Sequence, residues 1–234
     1  MLVLALDTTT RAGSAAVVVD GEVRVERAGD PALTHGQRLP GELQRLVRDS
    51  GVSLENVDLL AVAAGPGSFT GLRVGIAAVQ GLAMALDRRV VPVSALDALA
   101  RAAAPTGTAE ASGPVAVWMD AQRGEVFAAL YDPTGAAPLI EPTALTPGDT
   151  LSWWRDRLPT GAIRFIGDGA VRYEAFVRGS GIGGSIEAPP PLAGIIGRLA
   201  WANPGRAVLP HAIVPIYVRR PDAEIARNRR AVPR

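Results

Sequence analysis

Hydrophobic and polar positions alternate between strand-like and helix-like spacing over the first hundred residues. "LVLAL" is an apolar run of strand length, and "SAAVVVDGEVRVERA" gives two β-branched runs around Asp20 and Gly21, which is a strong hairpin signal. Three consecutive strands are therefore predicted. In the following "THGQRLPGELQRLVRDSG", apolar residues recur at helical spacing, with Thr34 as N-cap and Gly51 as C-terminal stop. Pro40 suits only the first turn of that helix.

The next segment predicts two strands that are each followed by a helix. "VDLLAVAAG" is a buried strand that ends at a glycine-containing loop, and a helix runs from Ser68 or Thr70 to about Leu86. "RRVVPVSA" predicts another strand and "LDALARAAA" another helix. Three meandering strands followed by such crossovers are typical of a ribonuclease-H-like or actin-like half-domain. The predicted fold class is therefore α/β, with a mixed sheet flanked by helices.

After the turn-rich "APTGTAEASGP", the pattern of the chain restarts. Asp7 and Asp20 of the first two strands correspond to Asp120 and Asp132 of "VWMDAQRGEVFAALYDPTG". Later segments predict a proline-rich loop, a short helix near "DTLSWWRDRL", a strand "IRFIG", a helix from about Ala170, a loop "GSGIGGS" and a helix near "LAGIIGRLAWAN". The interpretation is two actin-like (ribonuclease-H-like, ASKHA) subdomains. Their predicted limits are 1–104 and 114–220, followed by a basic tail, 221–234.

The composition narrows the functional classes without selecting one. The chain is 48% hydrophobic with a formal net charge of +1, so no overall field attracts nucleic acid or a membrane surface. It contains no cysteine, which excludes disulfides and thiolate metal sites. No uncharged apolar run reaches the roughly 18 residues that span a bilayer. Asp7 follows the start too soon for a signal peptide. We expect a soluble cytoplasmic protein with no membrane partner.

Two aspartates at corresponding strand ends are the candidates for nucleotide binding. Asp7 and Asp120 are followed by the turns "DTTTRAG" and "DAQRGE", which offer backbone amides and hydroxyls to phosphates. Alternatively, both aspartates only cap their turns. Thr8 stands where a glycine would better allow phosphate to approach the backbone. One functional hypothesis is accordingly an independent actin-like ATPase or phosphotransferase that uses Asp7 and Asp120.

The glycine loop "AAGPGSFTGLRVG" could bind phosphate or could allow close packing. No Gly-Lys-Ser/Thr follows, and the chain contains no lysine, so this is not a P-loop. Gly65, Gly67 and Gly71 are spaced two and then four apart, with no acidic partner about 20 residues later, unlike a dinucleotide fingerprint. The helix that follows is apolar all round, which is typical of burial on both sides. We therefore interpret the glycines as packing residues.

Other polar residues give weaker signals. His35 and His211 lie far apart and have no partner at ligand spacing, so no metal site is predicted. Ser68 has no nearby histidine base and is better explained as a helix cap. A two-metal nuclease would need several carboxylates converging beside Asp7, for which Glu42 and Glu55 are scattered candidates. The basic end "VRRPDAEIARNRRAVPR" reads as a solvated tail, with RNA contact as the alternative.

Five segments in order, "LALDTTT", "THGQRL", "GPGSFTGLRVG", "DAQRGEVF" and "PIYVR", resemble the TsaB (YeaZ) family of bacterial threonylcarbamoyladenosine synthesis. The resemblance implies two actin-like subdomains and a role in modifying an adenosine of tRNA. It also implies that the chain is not the catalyst. The related TsaD subunit holds a metal with two histidines, and the corresponding positions here are Ala95 and Leu99.

The resemblance further implies the partners and the binding surface. The partners are a TsaD-like catalytic subunit, a TsaE-like ATPase, and tRNA through the complex, with a homodimer when TsaD is absent. The interface would be formed by the helices at "THGQRLPGELQRLV" and "FTGLRVGIAAVQGLAMAL". The predicted contact residues are Leu39, Leu43, Leu72, Val74, Gly75, Ile76, Ala78 and Val79. The chain would require no cofactor, and ATP or ADP at Asp7, Thr8 and Asp120 would mark a vestigial site.

Overall fold

Two five-stranded sheets with the same strand order organise the chain. The computed structural model describes residues 1–104, 113–159, 161–182 and 184–219. The strands of the first sheet are Leu2–Asp7 (β1), Ser14–Val19 (β2), Glu22–Ala28 (β3), Leu59–Gly65 (β4) and Val90–Ser94 (β5). Their order in the sheet is β3-β2-β1-β4-β5. The meander β1–β3 is antiparallel, whereas β1, β4 and β5 are parallel.

The second sheet repeats this arrangement. Its strands are Val115–Asp120 (β6), Val126–Tyr131 (β7), Pro138–Leu145 (β8), Arg164–Ile166 (β9) and Ile186–Glu187 (β10), in the order β10-β9-β6-β7-β8. Asp7 pairs with Ser14 where β1 meets β2, and Asp120 pairs with Val126 where β6 meets β7. The predicted correspondence of Asp7 with Asp120, and with it the fold of two mixed sheets flanked by helices, is confirmed.

Helices form layers on both sides of the sheets. They are His35–Ser50 (α1), Phe69–Leu86 (α2), Ala95–Ala102 (α3), Pro147–Trp154 (α4), Asp168–Arg172 (α5), Glu174–Gly179 (α6) and Ala193–Ala202 (α7). One apolar core lies between the first sheet and α1 with α2. A second joins both sheets through α3 and α7, and a third lies between the second sheet and α4, α5 and α6.

The helix limits follow from capping residues. The N–H of Thr34 donates to the Gln37 side chain (3.0 Å) at the start of α1, and Gly51 ends that helix with φ +70°. Ser68 caps α2 by accepting the N–H of Gly71 (3.2 Å). These limits agree with the predicted ones. The expected place of Pro40 is wrong, because α1 begins at His35 and puts the proline in the second turn.

The predicted proline-rich loop is the strand β8. Pro138 and Pro142 both lie in this strand, which is the outermost one of its sheet. A proline lacks the N–H of a ladder hydrogen bond, but an edge strand needs only one bonded side. The ladder with β7 is irregular, with register shifts around Leu130. The helix predicted from about Ala170 is also different, since two short helices, α5 and α6, occupy that region.

The late helix α7 makes its main contacts with the first sheet. Its N-terminal amides are bound there, because Ser14 Oγ accepts the N–H of Ala193 (2.9 Å) and Glu26 accepts that of Gly194 (2.7 Å). At Gly197 an added Cβ would lie 2.6 Å from the side chain of Val18, so helix and sheet are in close contact. The predicted limits of 1–104 and 114–220 assign α7 to the second subdomain, whereas its contacts attach it to the first sheet. The predicted tail, 221–234, lies outside the described residues.

By length and composition alone, α2 could cross a membrane, since its mean hydropathy is 1.5 over 18 residues. In this fold its inner face is buried. Ile76, Val79 and Ala83 belong to the core between α2 and the first sheet, where the helix contacts β4. The apolar character of this face is therefore that of a core helix.

Candidate functional site

The turn between β1 and β2, residues 8–13, is the most constrained segment among the predicted site residues. Asp7 is only 3% exposed. Its Oδ1 accepts the backbone N–H of Thr9 (2.8 Å) and the Thr9 hydroxyl (2.6 Å). Burial raises the pKa of the Asp7 carboxyl, and the two hydrogen bonds from Thr9 oppose that rise. Asp7 therefore acts first as the cap of its own turn.

The loop and helix that carry the glycines lie directly on this turn. A Cβ added at Gly67 would be 2.5 Å from Thr9 Cβ, one at Gly71 would be 2.1 Å from the Thr8 carbonyl oxygen, and one at Gly75 would be 2.0 Å from Thr8 Oγ1. These separations are far below carbon–carbon contact distances. The glycines thus serve packing, as predicted, and the element that they contact is the β1–β2 turn.

The first turns of α1 hold the same segment from the other side. His35 Nε2 lies 3.1 Å from the carbonyl oxygen of Thr10, and Nδ1 lies 2.7 Å from an Arg38 Nη2. The buried Arg38 guanidinium also donates to the carbonyl of Ala12 and to the Glu42 carboxylate. Since Nδ1 faces a donor, the His35 proton is on Nε2 and is donated to Thr10. Burial, followed by the charge of Arg38, lowers the pKa of His35 and keeps the ring neutral.

The equivalent turn of the second half is also closed by its own hydrogen bonds. Asp120 accepts the backbone N–H of Gln122 (3.0 Å), its side-chain amide (2.9 Å) and Arg172 Nη1 (2.7 Å). The backbone N–H of Asp120 in turn donates to Oδ1 of Asp168 (3.0 Å). In the described part of this turn, the polar groups named here therefore form hydrogen bonds within the chain.

Asp168 is a site residue that the sequence analysis missed. Burial raises the pKa of its carboxyl, hydrogen bonds from Asp120 and Gly169 oppose the rise, and the Asp120 charge adds to it. Gly167, with φ +126°, brings the backbone so close to β6 that an added Cβ would lie 2.1 Å from the Trp118 carbonyl oxygen. The sequence signal was "IGDGA", a glycine–aspartate–glycine directly after a strand.

The backbone amides next to the two turn aspartates are not available to a nucleotide polyphosphate. The amide of Thr9 is held by Asp7 and that of Gln122 by Asp120, so neither is free for a phosphate oxygen. The Thr8 side chain lies under Gly75, and Thr8 is only 1% exposed. Charge works in the same direction, because Asp168 raises the pKa of Asp7 as one carboxylate near another does. The hydrogen bonds of Asp7 and Asp120 therefore stabilise their own turns.

The remaining predicted chemistry also lacks a converging set of ligands. In the described ranges, no group of three or more histidine, cysteine, aspartate or glutamate side chains could hold a metal ion. Ala95 and Leu99 are buried, apolar residues of α3. Glu42 is paired with Arg38 on α1, and Glu55 lies exposed in a separate 3-10 turn. The nuclease hypothesis therefore receives no support from their positions.

The predicted partner-contact residues lie on two different faces. Five of them, Leu39, Leu72, Gly75, Ile76 and Val79, are buried within the chain and present almost no surface to a partner. Leu43, Val74 and Ala78 are partly exposed. The helix is apolar all round, so its sequence could not show which stripe the sheet covers. The exposed positions of α2 include Arg73, Ala77, Gly81 and Met84, and we call the stripe formed by these four residues the outer face of α2.

Comparisons with known proteins agree with this architecture. The family model described as "TsaD: tRNA N6-adenosine threonylcarbamoyltransferase" matches residues 31–156. The tRNA threonylcarbamoyladenosine biosynthesis protein TsaB of Haemophilus influenzae is 40% identical over 128 residues, which are 54% of this chain and 52% of that protein. The match therefore spans about half the length of this curated relative.

Solved structures match over almost the whole chain. YeaZ from Pseudomonas aeruginosa has a TM-score of 0.73 and 30% identity, covering 92% of this chain and 99% of its own. An activator of 2-hydroxyisocaproyl-CoA dehydratase from Clostridium difficile, solved with bound ADPNP, has a TM-score of 0.52 at 13% identity, covering 87% of this chain and 95% of its own. The latter likeness shows the actin-like fold alone.

Proposed function

The chain belongs to the TsaB (YeaZ) family, and from that membership we propose that it is the non-catalytic subunit of a tRNA threonylcarbamoyladenosine-synthesising complex. Its task is to bind and orient a TsaD-like catalytic subunit. The resemblance drawn from the sequence puts Ala95 and Leu99 where a TsaD-like subunit would have metal-binding histidines, and neither side chain can ligate a metal. As a tRNA-modifying protein it works in the cytoplasm.

The outer face of α2 is the observation that carries this proposal. Met84 is 72% exposed, and Ala77 and Gly81 are exposed with small side chains. A Cβ added at Gly81 would meet no atom within 4 Å, unlike one at Gly75 on the inner face. Small residues allow another helix to approach closely, and exposed apolar surface is typical of a protein interface. We assign the TsaD-like subunit to this face.

We propose that the same face also forms a homodimer of this chain. A second copy of the chain would present an identical small-residue stripe, which permits a symmetric homodimer when the catalytic subunit is absent. A TsaE-like ATPase joins the complex of the two subunits, and tRNA is bound by that complex. The chain needs no cofactor of its own, which is supported by the closed turns at Asp7, Thr8 and Asp120.

Reconstitution tests the subunit role directly. Threonylcarbamoyl transfer to tRNA is measured with the TsaD-like and TsaE-like proteins of the same organism, with this chain present, absent or alone. We expect product only when all three proteins are present. Product from this chain alone would contradict the non-catalytic role. Activity that does not depend on this chain would contradict the subunit role.

A pair of arginine variants tests the binding surface. Gly81→Arg places a long charged side chain on the outer face of α2, and Ala175→Arg places the same side chain on the exposed side of α6. Both sites are exposed helical positions, so both variants should fold. We expect Gly81→Arg to weaken binding of the TsaD-like subunit by at least tenfold, whereas Ala175→Arg should bind normally. Equal affinities would show that the outer face of α2 is not the interface.

A further inference from the structure

After α7 the chain runs back along the first sheet through residues 207–219, which include one 3-10 turn at Pro210–Ala212 and which we call the C-terminal strap. Val208 forms an antiparallel bridge with Val90, and Gln80 of α2 donates to the Pro210 carbonyl (2.8 Å). Ile213 is buried in the core under α2. The strap is therefore an ordered part of the first half, held along its course by backbone and side-chain contacts.

Near its end the strap crosses the glycine loop and reaches the first residue of α2. The N–H of Ile216 donates to the Ala64 carbonyl (2.7 Å), and an added Cβ at Gly65 would lie 2.5 Å from the Ile216 oxygen. The ring of Tyr217 lies 5.9 Å from that of Phe69, centroid to centroid. The two rings are 43% and 50% exposed, so they remain accessible at the N-terminal margin of the outer face of α2.

The last described residue of the strap is bound to the other half of the molecule. Arg219 forms an ion pair with Glu125, directly before β7, and its guanidinium lies 5.8 Å from the centroid of the Phe127 ring. The side chains of Arg219 and Glu125 are 23% and 34% exposed. Partial burial and the adjacent ring make this pair stronger than a fully exposed one. The strap thus joins α2 of the first half to the β6–β7 turn of the second.

We propose that the C-terminal strap couples partner binding at the outer face of α2 to the position of the second half. This inference rests on the proposed function, since it requires a partner on that face. Arg73 belongs to the outer face, and its guanidinium lies 3.9 Å from the centroid of the Phe69 ring. A partner that covers Arg73 and Phe69 also fixes Tyr217, and therefore tightens the strap and the Arg219–Glu125 pair. By reciprocity, loosening that pair weakens partner binding.

Hydrogen exchange in the free chain tests the first part of the proposal, that the Arg219–Glu125 pair holds the strap in place. Arg219→Ala should speed exchange of the Ile216 amide about fivefold, which is what the loss of one partly buried ion pair allows. The control is Arg178→Ala, which breaks the exposed Arg178–Glu174 pair of α6 and should leave the Ile216 amide unchanged. An unchanged rate in Arg219→Ala would overturn the coupling, whatever the partner does.

Measurements of partner binding test the second part of the proposal, that the strap and the partner influence each other. The TsaD-like subunit should slow exchange at Ile216 and should bind Arg219→Glu at least threefold more weakly than it binds the original chain. The double variant Arg219→Glu with Glu125→Arg restores the ion pair, and we expect it to recover most of the affinity. A double variant as weak as the single one would overturn the proposal, because Arg219 would then act by direct contact. If the original chain does not bind the TsaD-like subunit, the proposed function fails, while the free-chain measurement still tests the strap.

Discussion

Replacing Gly75 by alanine tests whether α2 is locked onto the β1–β2 turn. In an ordinary helix this substitution stabilises the protein, because alanine has the higher helix propensity by about 1 kcal/mol. Here the new methyl group would lie 2.0 Å from Thr8 Oγ1 and 3.1 Å from both Cβ and Cγ2 of the same residue. Thr8 is packed on all sides, so it cannot rotate away without disturbing the turn.

The magnitude follows from two opposing effects. Overpacking of a well-filled site costs about 1–3 kcal/mol. The new methyl group would lie very close to the side chain of Thr8, which is buried and cannot move aside, so we expect a cost at the upper end of that range. Subtracting the propensity gain leaves a loss of about 2 kcal/mol in the free energy of unfolding. The matched control is Gly81→Ala in the same helix. Its Cβ meets nothing within 4 Å, so we expect a gain of up to about 1 kcal/mol there.

The assay is denaturant unfolding followed by far-ultraviolet circular dichroism, with the free energy extrapolated to water. A second substitution, Thr8→Ala, removes Oγ1 and Cγ2, and its hydroxyl has no hydrogen-bond partner to lose. We expect the double variant to regain at least half of the loss caused by Gly75→Ala. If Gly75→Ala is as stable as Gly81→Ala, or if Thr8→Ala gives no recovery, the close packing described for this turn is wrong.

Two further predictions concern buried polar groups. Burial is the main cause that raises the pKa of Asp7 in the fold. Between the pKa of Asp7 in the unfolded chain and its higher pKa in the fold, the folded protein therefore binds more protons than the unfolded chain. Stability decreases as the pH rises through that window, because Asp7 must ionise while buried. We expect Asp7→Asn to gain stability relative to the original chain in thermal melts as the pH rises above about 4, the ordinary pKa of an aspartate; a difference that does not change with pH would contradict this. The buried Tyr131 hydroxyl donates to Asp97 Oδ1 (2.7 Å). Tyr131→Phe should lower the free energy of unfolding by about 1–2 kcal/mol in denaturant titrations, and an unchanged midpoint would show that this hydrogen bond adds nothing.

Much of the fold could be predicted because its signals are local. The hairpin at Asp20 and Gly21, the N-cap at Thr34 and the C-terminal stop at Gly51 each depend on a few neighbouring residues. The duplication was also visible, since Asp7 and Asp120 end equivalent strands. The strand β8 was not predicted, because a sequence does not show which strand will lie at the edge of a sheet, and only there are its prolines tolerated.

The candidate site could be predicted less well, for a different physical reason. Asp7 and Thr8 were predicted as nucleotide contacts, and the sequence could not show that Thr8 would be packed against Gly71 and Gly75, which approach from another element. The predicted interface included Ile76 because an all-apolar helix carries no mark of its inner side. Periodicity locates a stripe of side chains, whereas the choice of which stripe is covered is made by the sheet that packs against it.

The attachment of α7 to the first sheet has a consequence for synthesis of the protein. While the chain leaves the ribosome, β1 to β5 can form, but the inner face of their sheet stays uncovered until residues 193–202 emerge. The side chains of Ser14 and Glu26 can form their hydrogen bonds only after the amides of α7, about 170 positions later in the chain, have been synthesised. Such distant pairings make folding slow and leave apolar strands open to association meanwhile. The first half therefore matures last, and a nascent chain stalled before Ala193 should need a chaperone to remain dispersed.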